Sequence, residues 1–229
     1  MKYKIIRLAT RNIALQRQFY VEKLGLKILN DGGKLFSVKT GENVLEIEEK
    51  IDFKKDGYYH FCFNIFPSLL EDATEAFLPS KGISQVTNGK DKYTIHEDWN
   101  AKSVYFYDAD ENILEFIARY NLKNVVKTED TKFDINKHIN CISEIGIAVT
   151  DTKDFVEKLQ QNMEAKIWRD YGDQFKAIGD ENGLILATKA GRPWIPTTDH
   201  LNAILPTEVT IEGKGTDFVY GNLYKFNFC

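Results

Sequence analysis

The sequence predicts an α+β fold assembled from repeated βαβββ modules, and two observations support this class. The order strand, helix, strand, strand, strand is assigned three times, to residues 1–50, to residues 56–120 and to the first part of residues 141–229. In the first copy 41 positions separate Ile5 from Glu46. In the third copy 42 positions separate Glu144 from Leu186. Matching lengths of this kind are typical of a chain built from one repeated supersecondary unit.

Module one is predicted to start with an alternating strand at residues 3–10 and to continue with a helix at residues 13–24. Asn12 precedes the helix, where its side-chain oxygen can cap the first free N–H groups, and Gly25 follows it, where glycine commonly ends a helix. Turn-forming residues separate the three strands that follow, at residues 26–29, 34–39 and 43–48.

Module two repeats this order, beginning with a strand at residues 58–65. Pro67, Ser68 and Glu71 predict the start of a helix, because a Ser followed three residues later by a Glu can form a capping box. After the helix come a short strand and a hairpin, at residues 83–86 and 91–102.

The last two strands of module two form a strand, a tight turn and a strand over residues 103–119. Apolar Leu114 and Phe116 alternate with Glu115, so Glu115 is predicted to lie on the face of the sheet opposite the core. Two isoleucines share that face, and an unpaired buried charge costs on the order of several kcal/mol. We therefore expect Glu115 to have a partner.

A polar linker at residues 123–140 is predicted to lead to the third module. Asp151 or Thr152 is expected to cap the helix that follows the first strand of this module. Beyond this unit, Trp194 lies in a segment that is predicted to be extended and to bury the indole ring. Residues 207–228 are predicted to form two or three antiparallel strands.

The composition excludes several classes of protein. Hydrophobic residues make up 43% of the chain and charged residues 28%, and no apolar run approaches the roughly 20 residues that a membrane span needs. The formal net charge is −4 and the lysines are scattered, so no nucleic-acid-binding surface is expected. Three widely spaced cysteines and the lack of a signal-peptide core favour a cytoplasmic location.

The stretch 103–119, SVYFYDADENILEFIAR, resembles the ending of modules in the vicinal oxygen chelate superfamily, which includes glyoxalases, bleomycin-resistance proteins and extradiol dioxygenases. Ala109 stands where that family usually has Pro, and Glu111 where it usually has Gly. The resemblance implies that modules one and two pair edge to edge within residues 1–122. It also implies curved mixed sheets with helices on the outside, and a divalent metal ion inside the cup.

The resemblance places one ligand position on the first strand and one on the last strand of each module. In modules one and two these positions fall on Ile5, Glu46, His60 and Glu115. Isoleucine cannot bind a metal, so the expected ligands are His60, Glu115 and Glu46. Strand alternation agrees, because all three side chains are predicted to point away from the core. One imidazole and two carboxylates suit Fe, Mn, Ni or Zn.

Two further residues are alternative ligands. Glu144 occupies the first-strand position of module three, although the last-strand position of that module is Leu186. His96, in the predicted hairpin of module two, could replace the histidine that module one lacks.

The leading prediction is a metal-dependent enzyme that acts on a small oxygen-chelating substrate, as a lyase or isomerase or as a ring-cleaving dioxygenase. In the lyase or isomerase, Glu115 or Glu46 would act as the base. The dioxygenase would need a second histidine, which Ile5 does not supply. Arg7 and Arg119 are expected either to orient an anionic substrate or to neutralise the carboxylates.

The alternative prediction is a metal-free binding protein of the bleomycin-resistance type, which would hold its ligand by stacking and shape. Tyr105 and Trp99 are candidate substrate-binding residues, and Tyr107 and Trp168 are also available to a binder. A third possibility is that one pair of modules has lost its function and forms the interface of a homodimer.

Overall fold

The computed structural model of this protein describes residues 1–87, 89, 91–122 and 128–229. Strands dominate the structure and form two mixed sheets, one of seven strands and one of nine. The predicted α+β class is therefore confirmed. Within this part of the chain, no helix is both long enough and apolar enough to cross a membrane.

The seven-stranded sheet combines module one with the C-terminal tail. Module one contributes β1 (Lys2–Thr10), β2 (Ile28–Asp31), β3 (Leu35–Thr40) and β4 (Asn43–Glu49). The tail contributes β14 (Thr207–Glu212), β15 (Phe218–Tyr220) and β16 (Tyr224–Phe228). The order across the sheet is β15-β16-β14-β1-β4-β3-β2, and β14 pairs antiparallel with β1. The strands predicted for residues 207–228 are thus present, although β14 and β16 pair in parallel.

The nine-stranded sheet combines modules two and three. Module two contributes β5 (His60–Ile65), β6 (Gln85–Val86), β7 (Thr94–His96), β8 (Ala101–Tyr107) and β9 (Ile113–Arg119). Module three contributes β10 (Ile139–Val149), β11 (Ile167–Asp170), β12 (Phe175–Asp180) and β13 (Gly183–Lys189). The order across the sheet is β11-β12-β13-β10-β5-β9-β8-β6, and β7 pairs with β8.

The expected pairing of module one with module two is wrong. Each first strand pairs in parallel with the last strand of its own module, which leaves its other edge free. The free edge of β5 is filled by β10 and the free edge of β1 by β14. The alternation of apolar and polar residues along a strand does not specify which other strand pairs with its free edge. The boundaries of the linker stay predictions, and residues 123–127 lie outside the described residues.

Short helical segments connect the strands. Module one has α1 (Ile13–Arg17), which continues as a π-helix (Gln18–Lys23). Module two has a 3₁₀ turn (Pro67–Leu69), α2 (Leu70–Asp72), a π-helix (Ala73–Phe77) and α3 (Leu78–Ser80). The hairpin of module two contains a 3₁₀ turn (Glu97–Trp99). The predicted linker region contains α4 (Ile135–His138), and module three has α5 (Thr152–Asn162) and a 3₁₀ turn (Gly172–Gln174).

Two of the predicted helix caps are present. The Asn12 side chain accepts a hydrogen bond from the Leu15 N–H, and Asp151, the first of the two residues considered for that helix, accepts from two N–H groups of α5. The predicted capping box is not formed, because the helix of module two begins as a 3₁₀ turn at Pro67 without a side-chain cap.

One apolar core joins the two sheets. From β9 it takes Leu114 and Phe116, whereas Ile113 and Ile117 belong to smaller apolar clusters on the other face. Glu115 lies on that second face and is buried. The predicted alternation of this strand is therefore confirmed, and it directs Glu115 away from the main core.

Candidate metal centre

Three strands that are neighbours in the nine-stranded sheet bring His60, Glu115 and Glu144 together. The strands lie in the order β10, β5, β9, and Cys62 of β5 is paired with Glu144 on one side and with Glu115 on the other. One possible ligand atom from each of the three residues lies within 4.8 Å of the others. The His60 Nε2 atom is 3.5 Å from a carboxylate oxygen of Glu115 and 3.9 Å from one of Glu144. All three side chains are buried.

Hydrogen bonds orient His60 and Glu115. The His60 Nδ1 atom lies 3.0 Å from the carbonyl oxygen of Ile113. A carbonyl oxygen only accepts hydrogen bonds, so Nδ1 carries a proton and Nε2 is the nitrogen that faces the carboxylates. The Ser103 hydroxyl donates a hydrogen bond to Oε1 of Glu115. The other carboxylate oxygen of Glu115 therefore remains directed at His60.

Arg119 supplies a fixed positive charge to the cluster. Its side chain is fully buried, and its Nη2 atom donates to the Glu144 carboxylate. The guanidinium carbon lies 5.5 Å from the ring centroid of Trp99 and 5.9 Å from that of Trp168. Arg119 itself does not line the cavity beside the cluster. Of the two roles expected for Arg119, its position corresponds to the neutralisation of a carboxylate.

The two carboxyl groups have opposite pKa shifts. Burial, and then the negative charge of Glu144, raises the pKa of Glu115 to about 7. Burial also acts to raise the pKa of Glu144, but the Arg119 charge and the nearby His60 imidazole outweigh it and lower that pKa. Glu115 is thus the carboxyl group that can exchange a proton near neutral pH, while Glu144 stays ionised.

The two histidines beside the carboxylates also differ. Burial acts to lower the pKa of His60, but the nearby carboxylates of Glu144 and Glu115 outweigh it and raise that pKa. Burial lowers the pKa of His96. The His96 Nε2 atom lies 3.9 Å from Oε1 of Glu115 and 3.3 Å from the Tyr105 hydroxyl. His96 therefore lies at the edge of the cluster as a neutral imidazole near pH 7.

The cluster lines a cavity of about 480 Å³. Five of its lining side chains are aromatic, namely Trp99, Tyr105, Tyr171, Phe175 and Trp194. Trp99 and Tyr105, which the sequence suggested as substrate-binding residues, are therefore placed where they can contact a ligand. A largely apolar cavity with a few convergent polar groups is typical of a small-molecule site.

Trp194 covers one side of the cluster. Its ring centroid lies 5.1 Å from that of His60, and its indole N–H donates to the carbonyl oxygen of Tyr58 at 2.7 Å. The ring packs directly on Gly146 of β10, where a Cβ atom would come within 2.4 Å of it. Glycine at this position is therefore required for the indole to lie over the strand. The burial of Trp194 that the sequence predicted is confirmed.

Glu46, which we expected to be the third ligand, lies in the other sheet. The Nε atom of Arg7 donates to its carboxylate at 2.7 Å, and the Nη1 atom of Arg7 donates to Glu208 at 3.2 Å. Glu46 is therefore half of an ion pair and does not belong to the buried group, in which Glu144 takes its place. Arg7 likewise neutralises carboxylates and does not line the cavity of the nine-stranded sheet.

The third member of the cluster, Glu144, was predicted only as an alternative ligand, because the last-strand position of its own module is Leu186. It holds the same first-strand position in module three that His60 holds in module two. Along β10, Ile145 and Ile147 face the core, whereas Glu144 lies on the opposite face, as Glu115 does on β9. Glu144 joins the cluster because β5 and β10 are adjacent, and strand alternation alone does not predict that pairing.

The chemistry and spacing of the cluster fit a divalent metal ion. Bonds of about 2.0–2.2 Å from one ion to its nitrogen and oxygen ligands place those ligands roughly 3–4 Å apart. The separations of 3.5 and 3.9 Å around His60 Nε2 lie in that range. Ligating histidines usually donate from the other ring nitrogen, as His60 does. One imidazole and two carboxylates suit Fe, Mn, Ni or Zn.

Solved structures of known proteins share this fold. A candidate dioxygenase from Bacillus subtilis subsp. subtilis str. 168 aligns with a TM-score of 0.57 and 14% identity, over 93% of this chain and 70% of that one. A glyoxalase I variant from Zea mays aligns with a TM-score of 0.55 and 14% identity, over 92% of this chain and 75% of its own. No protein-family model and no curated protein matches the sequence.

At these identities the likeness concerns the fold. Both alignments extend over nearly the whole chain, so they include the two sheets rather than a single module. The chain therefore has the repeated-module fold of glyoxalase and dioxygenase structures, and the resemblance to the vicinal oxygen chelate superfamily is confirmed at the level of the fold.

Proposed function

We propose that this protein is a divalent-metal-dependent enzyme of the glyoxalase and dioxygenase type, acting on a small oxygen-chelating substrate in the cavity of the nine-stranded sheet. The observation that carries the proposal is the buried group of His60, Glu115 and Glu144 beside an aromatic cavity. These three residues would hold the metal ion. When bound, the ion would polarise substrate oxygens as a Lewis acid.

Glu115 is the residue that we propose to move a proton. To do so its carboxylate would leave the metal ion, accept a proton from substrate carbon and return it afterwards. In the metal-free protein its pKa is raised to about 7 while that of Glu144 is lowered, so Glu115 is the more basic of the two carboxylates. The Ser103 hydroxyl holds one of its oxygens in place during this exchange. Glu144 is less suited to the role, because Arg119 keeps it ionised. A lyase or isomerase reaction, in which a proton is moved, therefore suits this chain.

The aromatic walls would bind the apolar part of the substrate and exclude water. Tyr105 and Trp99 lie on one side of the cavity, in module two, and Trp194 lies over His60. Arg192 also lines the cavity and donates to the carbonyl oxygen of Gln174 at 3.0 Å. This side chain, rather than Arg7 or Arg119, is placed to contact an anionic group of the substrate.

Metal-free binding of a small molecule is the second candidate function, and one observation favours it. Arg119 already neutralises Glu144 without a metal ion. Protonated Glu115 could then remain in the cavity as a neutral hydrogen-bonding group, and the aromatic walls would select the ligand. The homodimer, the lack of a nucleic-acid partner and the cytoplasmic location stay predictions.

Metal analysis separates the two functions. The protein is purified without chelator and its metal content measured, and its melting temperature is compared in EDTA and in Mn, Fe(II), Ni or Zn. A ligand present at 100 times its Kd stabilises the native state by about 2.7 kcal/mol, which raises the melting temperature by several degrees in a chain of this size. We expect stoichiometric metal and such a rise.

The variants His60→Ala and Glu46→Gln make this test specific. His60→Ala removes a ligand and should abolish both the bound metal and the rise in melting temperature. Glu46→Gln, which changes a carboxylate of the other sheet, should leave both intact. Failure of every metal to bind or to stabilise the wild-type protein contradicts the enzyme proposal and supports the metal-free binder.

A further inference from the structure

The first and last strands of modules two and three offer four corresponding ligand positions, and the buried cluster takes its residues from three of them. The fourth position, on β13, is Leu186, whose side chain lines the cavity and cannot bind a metal. Three protein ligands leave any bound ion open toward the cavity. A fourth protein ligand would have to come from outside these strand positions.

His96 is placed to fill that gap. It ends the short strand β7, which folds back along β8 so that His96 is paired with Ala101. Its Nε2 atom lies 3.9 Å from Oε1 of Glu115, the same separation as that between His60 Nε2 and Glu144. Two atoms that bind one ion at about 2.1 Å are at most about 4.2 Å apart, so this spacing is compatible with a shared ion.

The residues around His96 set the direction of its side chain and the position of its hairpin. Ile95 is 70% exposed, so strand alternation directs His96 inward. After the 3₁₀ turn, the Trp99 indole N–H donates to the Tyr171 hydroxyl at 2.9 Å and its ring meets Trp168 edge-on at 4.8 Å. Two residues of module three thus hold the hairpin of module two over the cavity.

Resting on the proposed function, we infer that His96 is a fourth protein ligand of the metal ion, giving a centre of two imidazoles and two carboxylates. The ligand atoms that all lie within 4.8 Å of one another belong to His60, Glu115 and Glu144, so the His96 ring must move inward to bind. In doing so it exchanges its contact with the Tyr105 hydroxyl for the ion. A second imidazole adds a ligand without adding charge and favours Zn, Ni or Fe(II) over Mg or Ca.

Pulsed electron paramagnetic resonance of the Cu(II)-loaded protein tests this inference, because it counts the imidazoles bound to the ion. We expect two imidazoles in the wild-type protein and one in His96→Ala. The matched control is His200→Ala, which removes a histidine that stacks on Tyr107 outside the cavity lining and should leave the count at two. Zn(II) affinity, measured by chelator competition, is the second readout.

The affinity change separates a ligand from a supporting residue. Loss of a group that merely orients a ligand costs about 10–100-fold in metal affinity, so His96→Ala should cost at least as much as the upper end of that range. A purely structural role of His96 would lower the melting temperature in EDTA while the imidazole count stayed unchanged.

Two results overturn the inference, and they differ in what else they overturn. A single bound imidazole in the wild-type protein, unchanged in His96→Ala, refutes the role of His96 but leaves the three-residue metal site standing. Failure of the wild-type protein to bind any of Cu(II), Zn(II), Mn, Fe(II) and Ni refutes the proposed function as well.

Discussion

The two sheets of this protein are built from similar modules, but their carboxylates differ in burial and in the groups they contact. In the nine-stranded sheet the Glu115 and Glu144 side chains are only 3% and 4% exposed and face an imidazole. In the seven-stranded sheet the Glu46 and Glu208 side chains are 15% and 27% exposed and share the guanidinium group of Arg7. The cavity beside the first pair has a volume of about 480 Å³, and the cavity beside Arg7 about 20 Å³.

The difference shows how the candidate site departs from an ordinary group of ion pairs. Arg7 donates to both Glu46 and Glu208, so each has a cationic partner. Arg119 donates to Glu144 alone and leaves Glu115 with a hydroxyl and an imidazole. Burial without full compensation is what raises the pKa of Glu115. A carboxylate in that condition, beside a cavity of about 480 Å³, can accept or release a proton near neutral pH.

Removal of the arginine from each sheet should give the largest contrast. Arg119→Met leaves the Glu144 carboxylate buried without its cation, and loss of one partner of a buried ion pair costs about 3–5 kcal/mol in the free energy of unfolding. Arg7→Met breaks a partly exposed pair, which is worth about 0–1 kcal/mol. Urea denaturation of both variants in EDTA measures the two costs.

A double substitution shows whether the charge itself is responsible. Adding Glu144→Gln to Arg119→Met removes the uncompensated carboxylate and should recover part of the lost stability. An equal loss in the free energy of unfolding for Arg7→Met and Arg119→Met would show that burial does not make the Arg119 ion pair more important than that of Arg7.

The sequence was sufficient for those features that depend on one strand at a time. Alternation along β9 placed Glu115 opposite the core, and the same rule placed His60 on the face away from Phe61 and Phe63. The repeated module and the helix cap at Asn12 follow from equally local patterns. These features are set by residues that are close together in the chain.

Features that depend on contacts between modules could not be predicted in this way. Whether β5 pairs with a strand of module one or of module three decides whether Glu46 or Glu144 joins His60, and both strands have suitable alternation. The position of Trp194 over the cluster depends on Gly146, which lies about fifty residues away in the chain. A glycine within a strand signals close approach only once the approaching group is known.

The pH dependence of stability should reveal the uncompensated carboxyl group. The pKa of Glu115 is about 7 in the folded protein and 4.5 ordinarily, so between these pH values the folded state binds a proton that the unfolded chain releases. The free energy of unfolding of the metal-free protein therefore falls as pH rises through this window. Glu115→Gln should remove this loss. The free energy of unfolding of the variant, relative to that of wild type, should therefore be about 3 kcal/mol higher above pH 7 than below pH 4.5.

Denaturation of wild type and Glu115→Gln in EDTA at a series of pH values measures this difference. Metal should reverse the sign above pH 7, because a bound cation stabilises the ionised carboxylate and Gln cannot replace it. A stability difference that does not change with pH would mean that Glu115 is already ionised in the metal-free protein.

In the nine-stranded sheet, Trp194 packs on Gly146 and covers one side of the cluster. Gly146→Ala places a methyl group within 2.4 Å of the Trp194 ring, so the indole must move and the variant should lose about 1–3 kcal/mol of stability. In a Trp194→Ala background the same substitution should cost much less, because the clash is gone. Thermal denaturation of the four proteins, together with indole fluorescence, measures this coupling.

The smallest expected effect concerns Glu111, which lies in the turn before the last strand of module two; Gly41 holds the corresponding place in module one. Gly41 adopts φ +63° before β4, and Glu111 adopts φ +61° before β9, where the side chain makes the left-handed conformation unfavourable. Replacing Glu111 with glycine should therefore stabilise the protein by about 1 kcal/mol, partly offset by the greater freedom of the unfolded chain. Gly41→Ala should destabilise it instead, because a Cβ atom there would collide with the backbone of Asn140. Opposite signs in urea denaturation support this account of the turns, whereas a loss of stability in Glu111→Gly would show that the Glu111 side chain contributes more than its backbone costs.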